Sequence, residues 1–240
     1  MDMRSRSERI LQTLFTLCVM LAMVLAGLFL SRDHWKARIS EQASQDLLMQ
    51  IENGKSEIVL TSLAPEIDGE NEDWVAIEGL EKLLGVDFDR PEELTEAQEL
   101  AQQKKLTAKG KLEIPKISLN LPVLEGTGKV GLRYGAGWFA MSAEPGQPGN
   151  CLLFGHRMKA RGRLFNRLNE LVRGDTVYIA DMDAQLYTYT VVDKIEVLPE
   201  NLFEELYKHT DGRYLSLITC TPQGVGSHRL IILCEIQSEL

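Results

Sequence analysis

Three residues of this sequence stand where an apolar run gives way to a polar loop, and their types suit covalent chemistry. Cys220 closes the run LSLITC, His156 closes NCLLFGH, and Arg229 opens HRLIIL. A cysteine attacks as its thiolate, so it needs a group that moves a proton and a donor for the oxyanion that develops on the attacked carbonyl. Thr221-Pro222 breaks the strand directly after Cys220, which places the thiol at a rim. The loop to Arg229 contains Gly224 and Gly226, so the two strand ends are expected to be neighbours. Catalytic groups commonly sit where a rigid scaffold passes into loops.

Taken singly, each of the three has a plainer reading: a cysteine after apolar residues is usually core, a histidine is usually structural, and an arginine beside a strand is usually ion-paired. That plainer reading applies to Cys151 and Cys234, which lie inside apolar runs beside Leu152, Leu153, Ile232 and Leu233, and to His34 and His209. Cys18 lies within an apolar stretch, and no CxxC or CxxH pair offers metal-ligand spacing, so neither a disulfide framework, a metal nor a cofactor is expected. Spacing excludes two other cysteine chemistries. A phosphatase loop closes on its arginine after about six residues and starts from His-Cys, whereas Thr219 precedes Cys220 and nine residues separate it from Arg229. A papain-like enzyme has its cysteine ahead of its histidine; here His156 comes first.

The elements that must hold these residues begin at Gly110, where the texture changes to short β-like runs: KLEIPKI, LNLPVLEG, NCLLFGH, GDTVYIA, QLYTYTVVDKIEVL, YLSLITC and HRLIILCEI. Gly, Pro, Asn and Asp separate them, which predicts a mainly β domain closed, or nearly closed, into a barrel. Between the third and fourth runs, Leu164, Phe165, Leu168 and Leu171 fall at helical spacing before Gly174, so a helix over Arg163 to Val172 is expected to cross the barrel.

A chain of 240 residues, 44% hydrophobic and 25% charged, can bury one such core and carry accessory segments. Ile10 to Leu30 run without a charge, long enough at helical rise to span a hydrocarbon core. Leu28-Phe29-Leu30 lead straight into Ser31-Arg32 with no small-x-small cleavage site, so an uncleaved transmembrane anchor is expected. Arg4, Arg6 and Arg9 before it balance Arg32, Lys36 and Arg38 after it, and charge alone does not orient it. Trp35, Ile39, Ala43, Leu47 and Ile51 then recur at every fourth position with Gly54 beyond, predicting an amphipathic helix over 31–54. The net charge of −9 is concentrated in the acidic connector over 55–109, where fourteen acids between Glu57 and Glu99 face only Lys82 and Arg90. Such a balance disfavours nucleic-acid binding, and an acidic stretch of this kind ordinarily reads as a solvated face.

Four segments, GKLEIPKISLNLPVLEG, GAGWFAMSAEPGQPGNCLLFGHR, RLFNRLNELVRGDTVYI and LITCTPQGVGSHRL, together resemble the sortase family, in the family's order and over about Gly110 to Glu235. The resemblance implies an eight-stranded closed β-barrel over 110–240, preceded by the anchor (10–30), a short cytoplasmic N-terminus (1–9), the amphipathic helix and the connector. It implies Cys220 as nucleophile, His156 as acid/base, Arg229 as oxyanion or substrate clamp, and Thr219 and Thr221 beside the nucleophile as substrate-binding residues. His228, next to Arg229, is given a structural role. The family cleaves a Leu-Pro-x-Thr-Gly-type sorting signal between Thr and Gly and passes the acyl group to an amine.

The form TCTPQGVGSHR is most similar to class C sortases, the pilin polymerases, whose partners are sorting-signal-bearing pilins and a pilin lysine. The alternatives are a housekeeping sortase joining surface proteins to a peptidoglycan amine, and a membrane-tethered barrel that only binds such peptides. Gln223 and Gly226 depart from the Tyr and Asn common in class C, and with the chain stopping at Leu240 the anchor is expected at the N-terminus alone. No Asp-Pro-aromatic lid motif is present; Glu72-Asp73-Trp74 would serve as a lid if Asp73 paired with Arg229 and Trp74 covered Cys220. Substrates of this kind lie outside the cell, so the expected arrangement is a single-pass membrane protein with its catalytic domain on the extracellular side.

Overall fold

The structure, a computed structural model, describes residues 3–60, 105–157 and 164–236. A long helix α1 (Met3–Glu52) leads to a short strand β1 (Glu57–Val59), then β2 (Lys105–Ile114), β3 (Leu119–Glu125), helix α2 (Lys129–Tyr134), β4 (Ala136–Trp138) and β5 (Gly149–Phe154). A 3₁₀ segment over Leu164–Glu170 follows, then β6 (Thr176–Asp181), β7 (Leu186–Val197), helix α3 (Leu202–Leu206), β8 (Arg213–Thr221) and β9 (His228–Ile236).

Eight strands run in the order β2-β3-β4-β5-β8-β9-β7-β6, and β6 pairs back onto β2, with Leu112 opposite Ile179, so the sheet closes. This is the expected mainly β, eight-stranded barrel. β1 is a ninth strand laid on the outer edge of β2, Ile58 opposite Leu106, within the stretch read from sequence as acidic connector. β2 itself begins at Lys105, ahead of the change of texture at Gly110, because Ala108 is already buried against α1 and β1.

The inside of the barrel is filled by one apolar cluster including Leu112, Cys151, Leu153, Ile179, Leu215, Leu217, Ile232 and Cys234. A second cluster lies on the outside, where Leu152, Phe154, Ile218 and Ile231 pack against Leu202, Phe203 and Leu206 of α3 and against Leu132 and Phe139. β5, β8 and β9 are therefore buried on both faces. That is why they read as unbroken apolar runs and why β5 and β8, which are parallel, share the pattern.

A third cluster joins α1 to the barrel. Ile39, Ala43, Leu47 and Ile51, the stripe read from sequence, meet Ile58, Ala108, Leu124 and Tyr134, and the Ser40 hydroxyl donates to the Arg133 carbonyl at 3.0 Å. The helix stops as Gly54 predicts. Gly54, at φ +76°, donates to Ile51 O at 2.8 Å, and Lys55 donates to Gln50 O at 3.1 Å, the paired bonds of a left-handed glycine cap. Among the described residues no helix is long and apolar enough to cross a membrane, and the side chains of 10–13 and 28–30, at both ends of the expected anchor, lie outside the description.

The helix expected over Arg163 to Val172 is instead a 3₁₀ segment kinked at Phe165 (φ −86°, ψ 19°). Leu164, Phe165 and Leu168 of this segment, with Leu171 just beyond it, all enter the interior cluster.

Candidate active site

β8 is the middle strand of the site, with β5 parallel on one side and β9 antiparallel on the other. Cys220 is paired directly with Arg229, and Arg229 in turn with Val197 of β7. Residues directly opposite on neighbouring strands present their side chains to the same face. Two positions earlier the corresponding row is Phe154, Ile218, Ile231 and Ile195, which faces the outer cluster. Side chains alternate with period two, so Cys220 and Arg229 share that outer face.

His156 lies two residues beyond Phe154, the register partner of Ile218, and so falls alongside Cys220. Three backbone contacts hold it there. Gly155 donates to Ile218 O at 3.1 Å, the Thr219 hydroxyl donates to Gly155 O at 2.7 Å, and Phe165 donates its N–H to His156 O at 2.9 Å. His156, Cys220 and Arg229 thus form a transverse row across three adjacent strand ends, resting on an apolar row beneath. All three are buried, at 3%, 8% and 5% exposure. Arg229 also organises its loop, Nη1 donating to Gly226 O at 2.8 Å and to His228 O at 2.9 Å.

Thr219 and Thr221 point the other way. The Thr219 hydroxyl is spent on Gly155, and the Thr221 hydroxyl donates to Glu196 Oε1 at 2.9 Å while accepting from Arg157 Nη1 at 2.8 Å. What these hydroxyls do here is hold the histidine loop against the nucleophile strand. His228 contacts the neighbouring Ser227 hydroxyl at 2.9 Å and sits opposite Thr221. Asp73 and Trp74 lie outside the described residues. So do residues 158–163, which follow the histidine.

Arg157, directly after His156, is a site residue that the sequence does not single out. Its Nη2 donates to Asn169 Oδ1 at 2.8 Å, and its Nη1 reaches Cys220 O at 3.5 Å as well as Thr221. Burial lowers the guanidinium's pKa from its ordinary value, while the charges of Glu196 and Cys220 pull it back up. The signal for it was its place directly after His156; its partners, 12 and 64 residues away, were not visible.

The other thiols differ in kind. Cys151 and Cys234 are fully enclosed, and burial pushes both far above the ordinary thiol range, with Glu144 adding to the effect at Cys151. Neither supplies a thiolate near neutral pH. Among the described residues no group of three or more His, Cys, Asp or Glu side chains could hold a metal.

The sortase domain model matches residues 112–237, just over half of the chain, and the chain belongs to the sortase family. It is 32% identical over 133 residues to Sortase A of Streptococcus agalactiae, covering 53% of this chain and 52% of that protein. Among solved structures it is similar to sortase C1 of Streptococcus suis, at 32% identity and a TM-score of 0.51, covering 55% of this chain and 74% of that one. It is also similar to sortase C-1 of Actinomyces oris, at 27% identity and a TM-score of 0.52, covering 71% and 98%. The chain spans about half the length of the curated relatives it matches.

Proposed function

We propose that this chain is a sortase transpeptidase that cleaves a Leu-Pro-x-Thr-Gly-type sorting signal between Thr and Gly. The observation that carries this reading is the register of β8, which sets Cys220 opposite Arg229 and beside His156. The Cys220 thiolate attacks the Thr carbonyl carbon; a C–S bond forms and the carbonyl electron pair moves onto oxygen, where the Arg229 guanidinium stabilises it. Collapse breaks the C–N bond, and the departing Gly amine takes a proton from His156. An incoming amine then attacks the thioester, gives a proton to His156 and displaces the thiolate.

The acceptor we infer is a pilin lysine, so that repeated turnover polymerises pilins. The TCTPQGVGSHR form and the likeness to sortase C-1 of Actinomyces oris support it. A second reading, transfer of surface proteins to a peptidoglycan amine, is favoured by the identity to Sortase A of Streptococcus agalactiae. In both, α1 anchors the chain in the membrane by a single pass with the barrel outside the cell; the apolar, exposed side chains of Leu14, Phe15, Leu17, Leu21, Val24 and Leu25 support that placement.

Incubating the full chain in detergent with a Leu-Pro-x-Thr-Gly peptide and weighing the protein tests the reaction. A thioester adduct on Cys220, discharged by added amine, is the expected result. Binding of the peptide without any adduct would leave only a peptide-binding barrel. Competition between a pilin lysine peptide and a peptidoglycan cross-bridge peptide for the acyl group separates the two acceptors.

A further inference from the structure

On the inner side of the same strand ends runs a chain of polar contacts that the reaction above does not use. Lys194 of β7 donates to the carbonyls of Asn169 and Leu171 at 2.9 and 3.1 Å, fixing the end of the 3₁₀ segment. The Asn169 side chain accepts from Arg157, Arg157 donates to Thr221, and Thr221 donates to Glu196, back on β7. Arg157 itself follows His156 on the histidine loop, and its guanidinium bonds the nucleophile strand through Nη1 and Asn169 of the 3₁₀ segment through Nη2, the use for which its planar fork suits it.

We propose that Arg157 is a positioning residue for the reaction at Cys220: bridging Thr221, Asn169 and the Cys220 carbonyl, it locks the loop bearing His156 to the strand end bearing the thiol. The inference rests on the transpeptidase reading for its rate arm. β5 and β8 are parallel, and their last register pair is Phe154 with Ile218. Beyond it, one backbone bond, Gly155 N–H to Ile218 O, is joined by side-chain bonds, and the Thr219 hydroxyl and Arg157 both cross from one segment to the other. Thr219 acts ahead of the two reacting residues and Arg157 beyond them, so the pair brackets the site. The arginine also adds a cation beside a thiolate-forming residue. On the described elements around this strand end stand His156 and Arg157 after β5, Glu196 on β7, and His228 and Arg229 on β9. Glu196 and Cys220 both favour the charged Arg157, Glu196 the more strongly.

The test uses the full chain in detergent micelles with Arg157→Gln, Arg157→Lys and Thr221→Val. Peptide turnover gives kcat and KM, and alkylation of Cys220 by iodoacetamide, followed by mass spectrometry of its peptide, gives the pH midpoint of thiolate formation. Arg157→Gln is expected to lower kcat about tenfold or more with KM within about twofold, as a misaligned acid/base pair should. It should also raise the alkylation midpoint by at least about half a pH unit, because a neighbouring cation has gone. Arg157→Lys restores the charge but not the fork, so the midpoint should recover while kcat stays low. Thr221→Val keeps the arginine and removes its partner; it should lower kcat with a smaller shift of midpoint, and it carries the test if Arg157→Gln does not fold.

The proposal is overturned if kcat of Arg157→Gln stays within about twofold of the unmodified protein. It is equally overturned if kcat falls only in step with the folded fraction while the alkylation profile stays put. Absence of any peptide adduct on the unmodified protein would instead sink the transpeptidase reading, and the alkylation arm would still decide whether Arg157 tunes Cys220.

Discussion

Gly155 precedes the histidine, and replacing it with alanine probes how tightly the site is held. An added Cβ would stand 2.6 Å from Cδ2 and 2.7 Å from Cγ of Phe165. Carbon atoms rest at about 3.5–4.0 Å, so something must yield by roughly 1 Å. Phe165 cannot swing into solvent, because it is fully buried in the barrel plug beside Leu164 and Leu168. The strain is therefore shared between the plug and the Gly155–His156 backbone, which Phe165 also holds through its N–H. Overpacking of this kind costs about 1–3 kcal/mol, or a fall of roughly 3–10 °C in melting temperature. A displacement of order 1 Å at the acid/base residue lowers the rate about a hundredfold. Thermal melts and the rate of thioester formation, read on the same preparation, should show both effects. Adding Phe165→Leu makes room for the new methyl group, so the double variant should recover much of the rate lost by Gly155→Ala even though the plug is smaller. An unchanged rate in Gly155→Ala, or a double variant no faster than the single, would refute the argument that this contact positions His156.

Cys220→Ala should abolish adduct formation with the fold intact, whereas Cys151→Ser should cost about 1–3 kcal/mol of stability by burying an ill-matched hydroxyl and leave the chemistry in place; loss of adduct in a folded Cys151→Ser protein would move the nucleophile. Leu47→Ala, at 1% exposure beneath Tyr134 and Leu124, should cost about 2–5 kcal/mol as seen by chemical denaturation, and an unchanged midpoint would show that α1 does not dock in solution. Cys151 and Cys234 keep their protons when folded but not when unfolded, so stability present below the unfolded thiol value of about 8.5 should decline as pH rises above it. A Cys151→Ser/Cys234→Ser protein should lose that part of the slope; an identical slope would assign it elsewhere, the buried Tyr189 being the next group to act. Replacing Asp73 and Trp74 by Ala should speed reaction of Cys220 with a small thiol reagent if they form a lid, and an unchanged labelling rate would leave them no part in gating.

The strands were legible because burial on both faces of β5, β8 and β9 leaves runs such as NCLLF and LIILC that little else in a protein of this size produces. The stripe Ile39, Ala43, Leu47, Ile51 was equally plain, since its four-residue period has one explanation. β1 was not, because three residues, Glu57–Val59, are too short to show a period and lie in an acidic window. The sequence over Arg163 to Val172 predicts one helix because Leu164, Phe165, Leu168 and Leu171 fall at steps of one, three and three, which suit either helix type and carry no mark of the kink at Phe165. The roles of Arg157 and Thr221 depended on contacts across 64 residues, which no local spacing records.

The face on which each residue of Ile218–Thr219–Cys220–Thr221 stands was the least legible feature, and the chemistry depends on it. A strand turns successive side chains to opposite sides, so the same four residues send Ile218 and Cys220 outward and Thr219 and Thr221 inward. Which pair goes where is decided by pairing with β5 and β9, and a slip of one residue would exchange a thiol for a hydroxyl in the row with His156 and Arg229. On the β9 side, eight consecutive pairs from Tyr214–Glu235 to Thr221–His228 exclude such a slip. On the β5 side the ladder ends at Phe154–Ile218, two residues short of the reacting groups. The inward threonines close that gap: Thr219 ties the Gly155 carbonyl just before the histidine, and Thr221 takes the arginine after it. One face of β8 thus carries out the reaction, and the other keeps its register.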